Sequence, residues 1–104
     1  MMADKDIERF LGAFGLNNNA KGVAAIIKDP DRHIIKYLSS WAAMMRNHYS
    51  AEEVIDDLRR NAAEDNGSRI TARLGLAILA LADPGTVKVG ASIKHLSHPL
   101  FKFL

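Results

Sequence analysis

Apolar residues recur along this chain at intervals of three and four, and polar, glycine- or proline-containing steps break the recurrence. Ile7, Phe10, Leu11 and Phe14 follow the i, i+3, i+4, i+7 rule of a helix with one buried face. Asp4 and Asp6 suit the positive end of its dipole and Gly15 suits a left-handed stop, so the pattern predicts a first helix over about 4–14. Asn17-Asn18-Asn19 interrupts the periodicity and offers an N-cap for a short second helix carrying Val23, Ile26 and Ile27. Asp29-Pro30 ends that helix and caps a third, with Asp29 as N-cap and Pro30 at the first helical position, where its missing N–H costs nothing.

The third helix has the longest stripe. Ile34, Leu38, Trp41, Met45 and His48 are spaced 4, 3, 4, 3, with Ile35 and Ala42 widening the band, which predicts the central core helix. Ser50-Ala51-Glu52-Glu53 is a capping-box pattern and starts a fourth helix. That helix buries Val54, Ile55, Leu58 and Ala62 and turns Glu52, Glu53, Asp56, Asp57, Arg59 and Arg60 to water, ending in the turn Asp65-Asn66-Gly67. Ser68 is expected to cap a fifth helix. Its Ile70, Leu74, Ala77, Ile78 and Leu81, broadened by Leu76 and Leu79, imply burial on more than one side. It stops at Asp83-Pro84-Gly85. Val89, Ile93, Leu96 and Leu100 suggest a sixth helix that Pro99 ends, although Thr86–Val89 also suits a short extended piece. No repeat or linker divides the chain. The expected fold is all-α, a compact single-domain bundle of five or six short helices over residues 1–104.

A length of 104 residues with 48% hydrophobic side chains suffices for one core without staples. The absence of cysteine removes disulfides and thiolate chemistry and fits a reducing compartment. Met1-Met2-Ala3-Asp4-Lys5-Asp6 has acids where a secretory signal has a basic stretch, so a cytoplasmic location is expected. The longest apolar run, Leu74–Ala82, has nine residues against the ~20 of a membrane span.

Charge is distributed unevenly. Residues 1–83 hold eleven Lys and Arg against twelve Asp and Glu, a net of −1. Residues 84–104 hold Lys88, Lys94 and Lys102 with no acid, two histidines, and eight large apolar side chains ending in Phe101-Lys102-Phe103-Leu104. Such a basic, apolar segment needs a surface to bury against: its own bundle, a dimer interface or another protein. It is too short, and too interrupted by Pro99, to favour a membrane interface.

Candidate chemistry is sparse. Gly85-Thr86-Val87-Lys88-Val89-Gly90-Ala91-Ser92 imitates a phosphate-binding loop, but alanine stands where the phosphate-reaching lysine belongs, so an interhelical turn is the preferred reading. His95 and His98 are three apart, yet no carboxylate follows Asp83 to complete a metal site. His48 reads as a core-edge histidine with a backbone partner. The carboxylates Glu52, Glu53, Asp56 and Asp57 are balanced at i+3 and i+4 by Arg59 and Arg60, the spacing of solvated pairs. No catalytic residue, cofactor site or metal site is assigned.

The expected function is that of a non-enzymatic protein–protein interaction module, an inhibitor, adaptor or assembly subunit, with a homodimer among its assemblies. Phe101, Phe103 and Leu104 are the expected apolar anchors, with Lys94 and Lys102 at the rim. The competing expectation is a small DNA-binding regulator. It would contact phosphates and bases through Arg59, Arg60, Arg69 and Arg73, which flank the turn between helices four and five.

Overall fold

Four of the described helices, those beginning at Lys5, Arg32, Ala51 and Pro84, start beside a side chain that accepts from their first turn. The computed structural model describes residues 4–27, 31–65 and 67–88, which hold six α-helices, one short 3-10 turn and no strand. They are α1 Lys5–Gly12, α2 Ala20–Ile26, α3 Arg32–Arg46, α4 Ala51–Ala63, α5 Ser68–Ala82 and α6 Pro84–Lys88, with the 3-10 turn at Asn17–Asn19. The expected all-α bundle is what forms. The expected helix over Val89–Leu100 lies outside the described residues.

Asp4 caps α1 by accepting from the backbone N–H groups of Asp6 and Ile7 at 2.9 and 3.1 Å. Gly15 ends it with φ 73°, and the Leu16 N–H then returns to the Leu11 carbonyl at 2.9 Å, which also accepts from the Phe14 N–H at 3.0 Å. The capping box at α4 is complete: Glu53 N–H donates to Ser50 Oγ at 3.2 Å and Ser50 N–H donates to Glu53 Oε1 at 3.0 Å. At α6, Asp83 accepts from Gly85 N–H at 3.1 Å and Thr86 Oγ1 at 2.7 Å, while Pro84 occupies the first helical position. Residues 86–88 are therefore helical, and the extended alternative for this stretch is incorrect.

Three expected caps are corrected. Asp31, whose carboxylate accepts from His33 and Ile34 N–H groups, caps α3 in place of Asp29, which lies outside the described residues. Asn19 precedes α2 without a side-chain cap bond, because its amide instead donates to the Ala82 carbonyl at 2.8 Å and ties the turn to the end of α5. Gly67, not Ser68, stands at the N-cap of α5. Ser68 is the first helical residue and its hydroxyl donates to Asn61 Oδ1 of α4 at 3.2 Å.

One core runs through all six helices. Ile7, Phe10 and Leu11 of α1 meet Val23 of α2, Ile35 and Leu38 of α3, Ile55 and Leu58 of α4, Leu76, Ile78 and Leu79 of α5, and Val87 of α6. α5 is the axis, since it packs on α4, α6, α2, α1 and α3. Its broad apolar surface is consumed within the domain, although Ile70, placed on the expected stripe, is 61% exposed. Gly75 allows this convergence. A Cβ there would lie 3.2 Å from Leu38 Cδ2, 3.4 Å from Leu58 Cδ2 and 3.4 Å from Phe10 Cζ.

The buried face of α4, Val54, Ile55, Leu58 and Ala62, agrees with the sequence pattern. The buried face of α3 does not. Ile35, Leu38, Ser39 and Ala42 line the core, and Ile34, Trp41 and Met45 flank it, so the core stripe is rotated by roughly a quarter turn from the expected one. The reason is closeness of approach. α3 packs chiefly on α1, and the short side chains of Ser39 and Ala42 admit that helix, with the Ser39 hydroxyl bonded to the Lys36 carbonyl at 3.0 Å.

Candidate functional site

A second apolar line on α3, which reaches the core only at its edge through Trp41, faces α4. Tyr37, Trp41 and Met45 follow one another at intervals of four, and Tyr49, just beyond the helix end, extends the line. Tyr37 and Tyr49 are 59% and 47% exposed, while Trp41 and Met45 are half-buried. Opposite them, α4 turns its charged face.

Two open recesses lie end to end between these walls. The larger, about 620 Å³, is bounded by Met45 and Tyr49 on one side and by Glu53, Asp56, Asp57, Arg59 and Arg60 on the other. The second, about 270 Å³, lies between Tyr37 and Trp41 of α3 and Asp57, Asn61 and Thr71 of α4 and α5. Asp57 borders both, so the two adjoin as one groove, with an aromatic and methionine wall against carboxylates and their arginine partners at one end and against Asp57, Leu58 and Asn61 at the other.

The charged wall is internally tethered. Arg59 donates to Asp56 at 2.6 Å, and its second terminal nitrogen donates to the Val87 carbonyl at 2.6 Å, which fastens α6 to the groove wall. Arg60 pairs with Asp57 at 3.0 Å, and Asp57 also accepts from Asn61 Nδ2 at 3.1 Å. The Glu53 carboxyl is held below its usual range, first by the backbone N–H of Ser50 and then by the Ser50 hydroxyl. The Glu53 carboxylate is thus held as a charged acceptor. Among the described residues no group of three or more His, Cys, Asp or Glu converges in a way that holds a metal ion.

The four arginines flanking the α4–α5 turn are likewise engaged. Besides the Arg59 and Arg60 pairs, Arg69 pairs with Asp65 at 3.1 Å and Arg73 Nε donates to the Ala62 carbonyl at 3.0 Å. Burial, with Arg69 adding to it, pulls the Arg73 guanidinium below its ordinary value. Apart from the Arg59 bond to Val87 of α6, these ties run within the hairpin. Arg59 has only 12% of its side chain exposed, whereas Arg60 has 74%.

No family model, curated protein or solved structure matches this chain. The groove therefore has to be read from its own geometry.

Lys94, Phe101, Lys102, Phe103 and Leu104, the expected partner anchors, lie outside the described residues, as do His95, His98 and the Val89–Ser92 part of the glycine motif. Gly85 sits in α6 without a positive φ, so the described part of that motif is a helical turn rather than a phosphate cradle. His48 is exposed beyond the end of α3, its ring edge-on to Tyr49 at 6.4 Å, which corrects the core-edge expectation. Tyr37 and Tyr49 are the missed members of the groove's α3 line, whose Trp41 and Met45 the sequence pattern assigns to the core stripe. Its signal was present as a second apolar line on α3, offset from Ile35, Leu38 and Ala42. No helix among the described residues is long and apolar enough to cross a membrane.

Proposed function

We propose that this chain is a non-enzymatic interaction module, an inhibitor, adaptor or assembly subunit, that binds another protein through the α3–α4 groove and its basic, apolar C-terminal segment. The observation that carries the reading is an open groove whose Tyr-Trp-Met wall stands opposite a charged wall of three carboxylates and two arginines. Aromatic residues and methionine supply large contact area at interfaces, and an aromatic wall opposite fixed charges gives both anchors and orientation. A segment with apolar residues on one side and lysine or arginine on the other complements both walls. Lys94, Phe101, Lys102, Phe103 and Leu104 supply the same kind of side chains from this chain's own tail.

The test is affinity capture from the native host with and without nuclease, comparing the wild type with Tyr37→Ser plus Tyr49→Ser. A stoichiometric protein that resists nuclease and is lost from the double variant is the expected result. Duplex DNA binding that weakens steeply with salt and is reduced by Arg69→Ala plus Arg73→Ala would overturn it in favour of a DNA-binding regulator.

A further inference from the structure

The second recess, about 270 Å³, sets aromatic rings against oxygen acceptors. Tyr37 and Trp41 stand four residues apart on one face of α3, and Leu38, Leu58 and Ala72 supply the apolar part of the lining. Asp57 is the one charged side chain of that lining among the described residues. Arg59 and Arg60 border the other recess and do not line this one.

The hydrogen bonds of the polar wall use up amide donors and leave acceptors over. Asn61 Nδ2 donates to the Asp57 carbonyl at 2.9 Å and to Asp57 Oδ2 at 3.1 Å, and Asn61 Oδ1 accepts from the Ser68 hydroxyl at 3.2 Å. Asp57 Oδ1 accepts from Arg60 at 3.0 Å. A carboxylate has about four lone-pair sites, so Asp57 keeps acceptor capacity beyond these two bonds. Arg60 is 74% exposed, and a solvated i,i+3 pair of this kind holds its carboxylate only weakly.

These features select a ligand. An anion would meet Asp57 with no cation in the lining, and a neutral apolar group would strip water from that carboxylate without replacing its hydrogen bonds. A cation placed against Tyr37 and Trp41 is attracted by their ring faces as well as by Asp57. Lysine brings a compact, strongly hydrated ammonium. The guanidinium of arginine is planar, more weakly hydrated, stacks on rings and carries its N–H donors in a flat fork, which matches rings on one side and oxygens on the other. The volume lies just below the ~300–1,000 Å³ of pockets that enclose drug-sized ligands and suits a single side-chain head.

We infer that the recess between α3, α4 and α5 is a guanidinium site that receives one arginine side chain of the protein docking in the groove, stacked on Tyr37 and Trp41 and donating to Asp57. This rests on the reading of the groove as a docking surface and names the side chain it selects.

The full-length chain has one tryptophan, so the Trp41 indole N–H reports on the recess directly in an NMR titration. The probe is Nα-acetyl-arginine methylamide, set beside the matching lysine derivative and the citrulline derivative, which keeps the planar shape of arginine and lacks its charge. The arginine probe should shift the Trp41 indole and Asn61 side-chain amide signals and leave α2, which contributes nothing to the recess, unshifted. It should bind about tenfold more tightly than the citrulline probe, the loss expected when a charge-assisted bond becomes a neutral one. Asp57→Asn should weaken the arginine probe by a similar factor. Tyr37→Ser, at a ring 59% exposed and so dispensable for folding, should weaken it by about threefold. Absence of a Trp41 shift, equal affinity for the arginine and citrulline probes, tighter binding of the lysine probe, or an arginine affinity unchanged in the two variants would each overturn the inference. A captured protein that is lost from Tyr37→Ser plus Tyr49→Ser but fully retained by Asp57→Asn would also overturn it and leave the docking reading standing. Probe binding as expected with no protein captured would sustain the guanidinium site and overturn the docking reading.

Discussion

Replacing Gly75 by alanine sets a backbone gain against a packing cost at the point where four helices meet. In a helix interior, alanine is favoured over glycine by about 1 kcal/mol, because it loses less conformational freedom on folding. The new Cβ, however, would stand 3.2 Å from Leu38 Cδ2 and 3.4 Å from both Leu58 Cδ2 and Phe10 Cζ, inside the ~3.5–4.0 Å optimum for carbon pairs. These three atoms are side-chain tips, which can yield, but they belong to α3, α4 and α1 and to residues no more than 3% exposed. Moving one pushes it into another wall of the same core, and overpacking of this kind costs about 1–3 kcal/mol. Gly75→Ala should therefore end between neutral and about 2 kcal/mol destabilising.

Gly22 is the internal control. It lies in α2 with nothing within 4 Å of its would-be Cβ, so Gly22→Ala receives the backbone gain alone, roughly 0.4–1 kcal/mol. Thermal or urea unfolding of both variants should separate them by about 0.4–3 kcal/mol, with the Gly22→Ala midpoint rising and the Gly75→Ala midpoint unchanged or lowered. If Gly75→Ala stabilises the chain as much as Gly22→Ala, the convergence of Phe10, Leu38 and Leu58 on α5 is looser than the geometry requires, and the argument fails.

Ser50→Ala removes the side-chain half of the capping box and should lower stability by about 1 kcal/mol, measured by urea unfolding. The same change should raise the Glu53 pKa toward its ordinary value in an NMR titration. Because Glu53 is depressed in the folded chain, its contribution is present above its unfolded pKa and is lost as pH falls through the folded one, so the wild type should lose more stability in acid than Ser50→Ala does. Arg59→Met keeps the apolar stem but deletes the donors to Asp56 and Val87, at an expected cost of about 1.5–3 kcal/mol. Hydrogen exchange should detect early release of α6, and unchanged protection there would refute the clamp. Tyr37→Ser plus Tyr49→Ser should leave the unfolding midpoint within about 0.5 kcal/mol per site, as both rings are largely exposed; a greater loss would place them in the core rather than in a groove.

The parts of the fold legible in the sequence are those decided within one or two turns. α4 is the clearest instance. Ser50 and Glu53 supply both halves of a cap that needs no tertiary partner, and the helix has a single apolar face. Asp4 and Gly15 bound α1 for the same local reason. Misread caps mark the places where a long-range bond competes. Asn19 has the side chain of a good N-cap, but Ala82, distant in sequence, offers its carbonyl, and Ser68 gives its hydroxyl to Asn61 across the α4–α5 hairpin. Spacing alone contains neither partner.

The groove follows from the same limitation, applied to faces rather than caps. α3 has two apolar lines, and side-chain size favours the one through Trp41 and Met45 as the core. Close packing of α1 selects the other, through Ile35, Ser39 and Ala42, because small residues permit near approach. α4 meanwhile commits Val54, Ile55, Leu58 and Ala62 to the interior, chiefly toward α5, and offers the line that α3 leaves over only the edge of Leu58 among charged and polar side chains. Two helices that each spend their best apolar face on a different neighbour must meet along unlike faces. Here that meeting sets Tyr37, Trp41, Met45 and Tyr49 against Glu53, Asp56, Asp57, Arg59 and Arg60, a pairing that buries incompletely and leaves two open recesses along it.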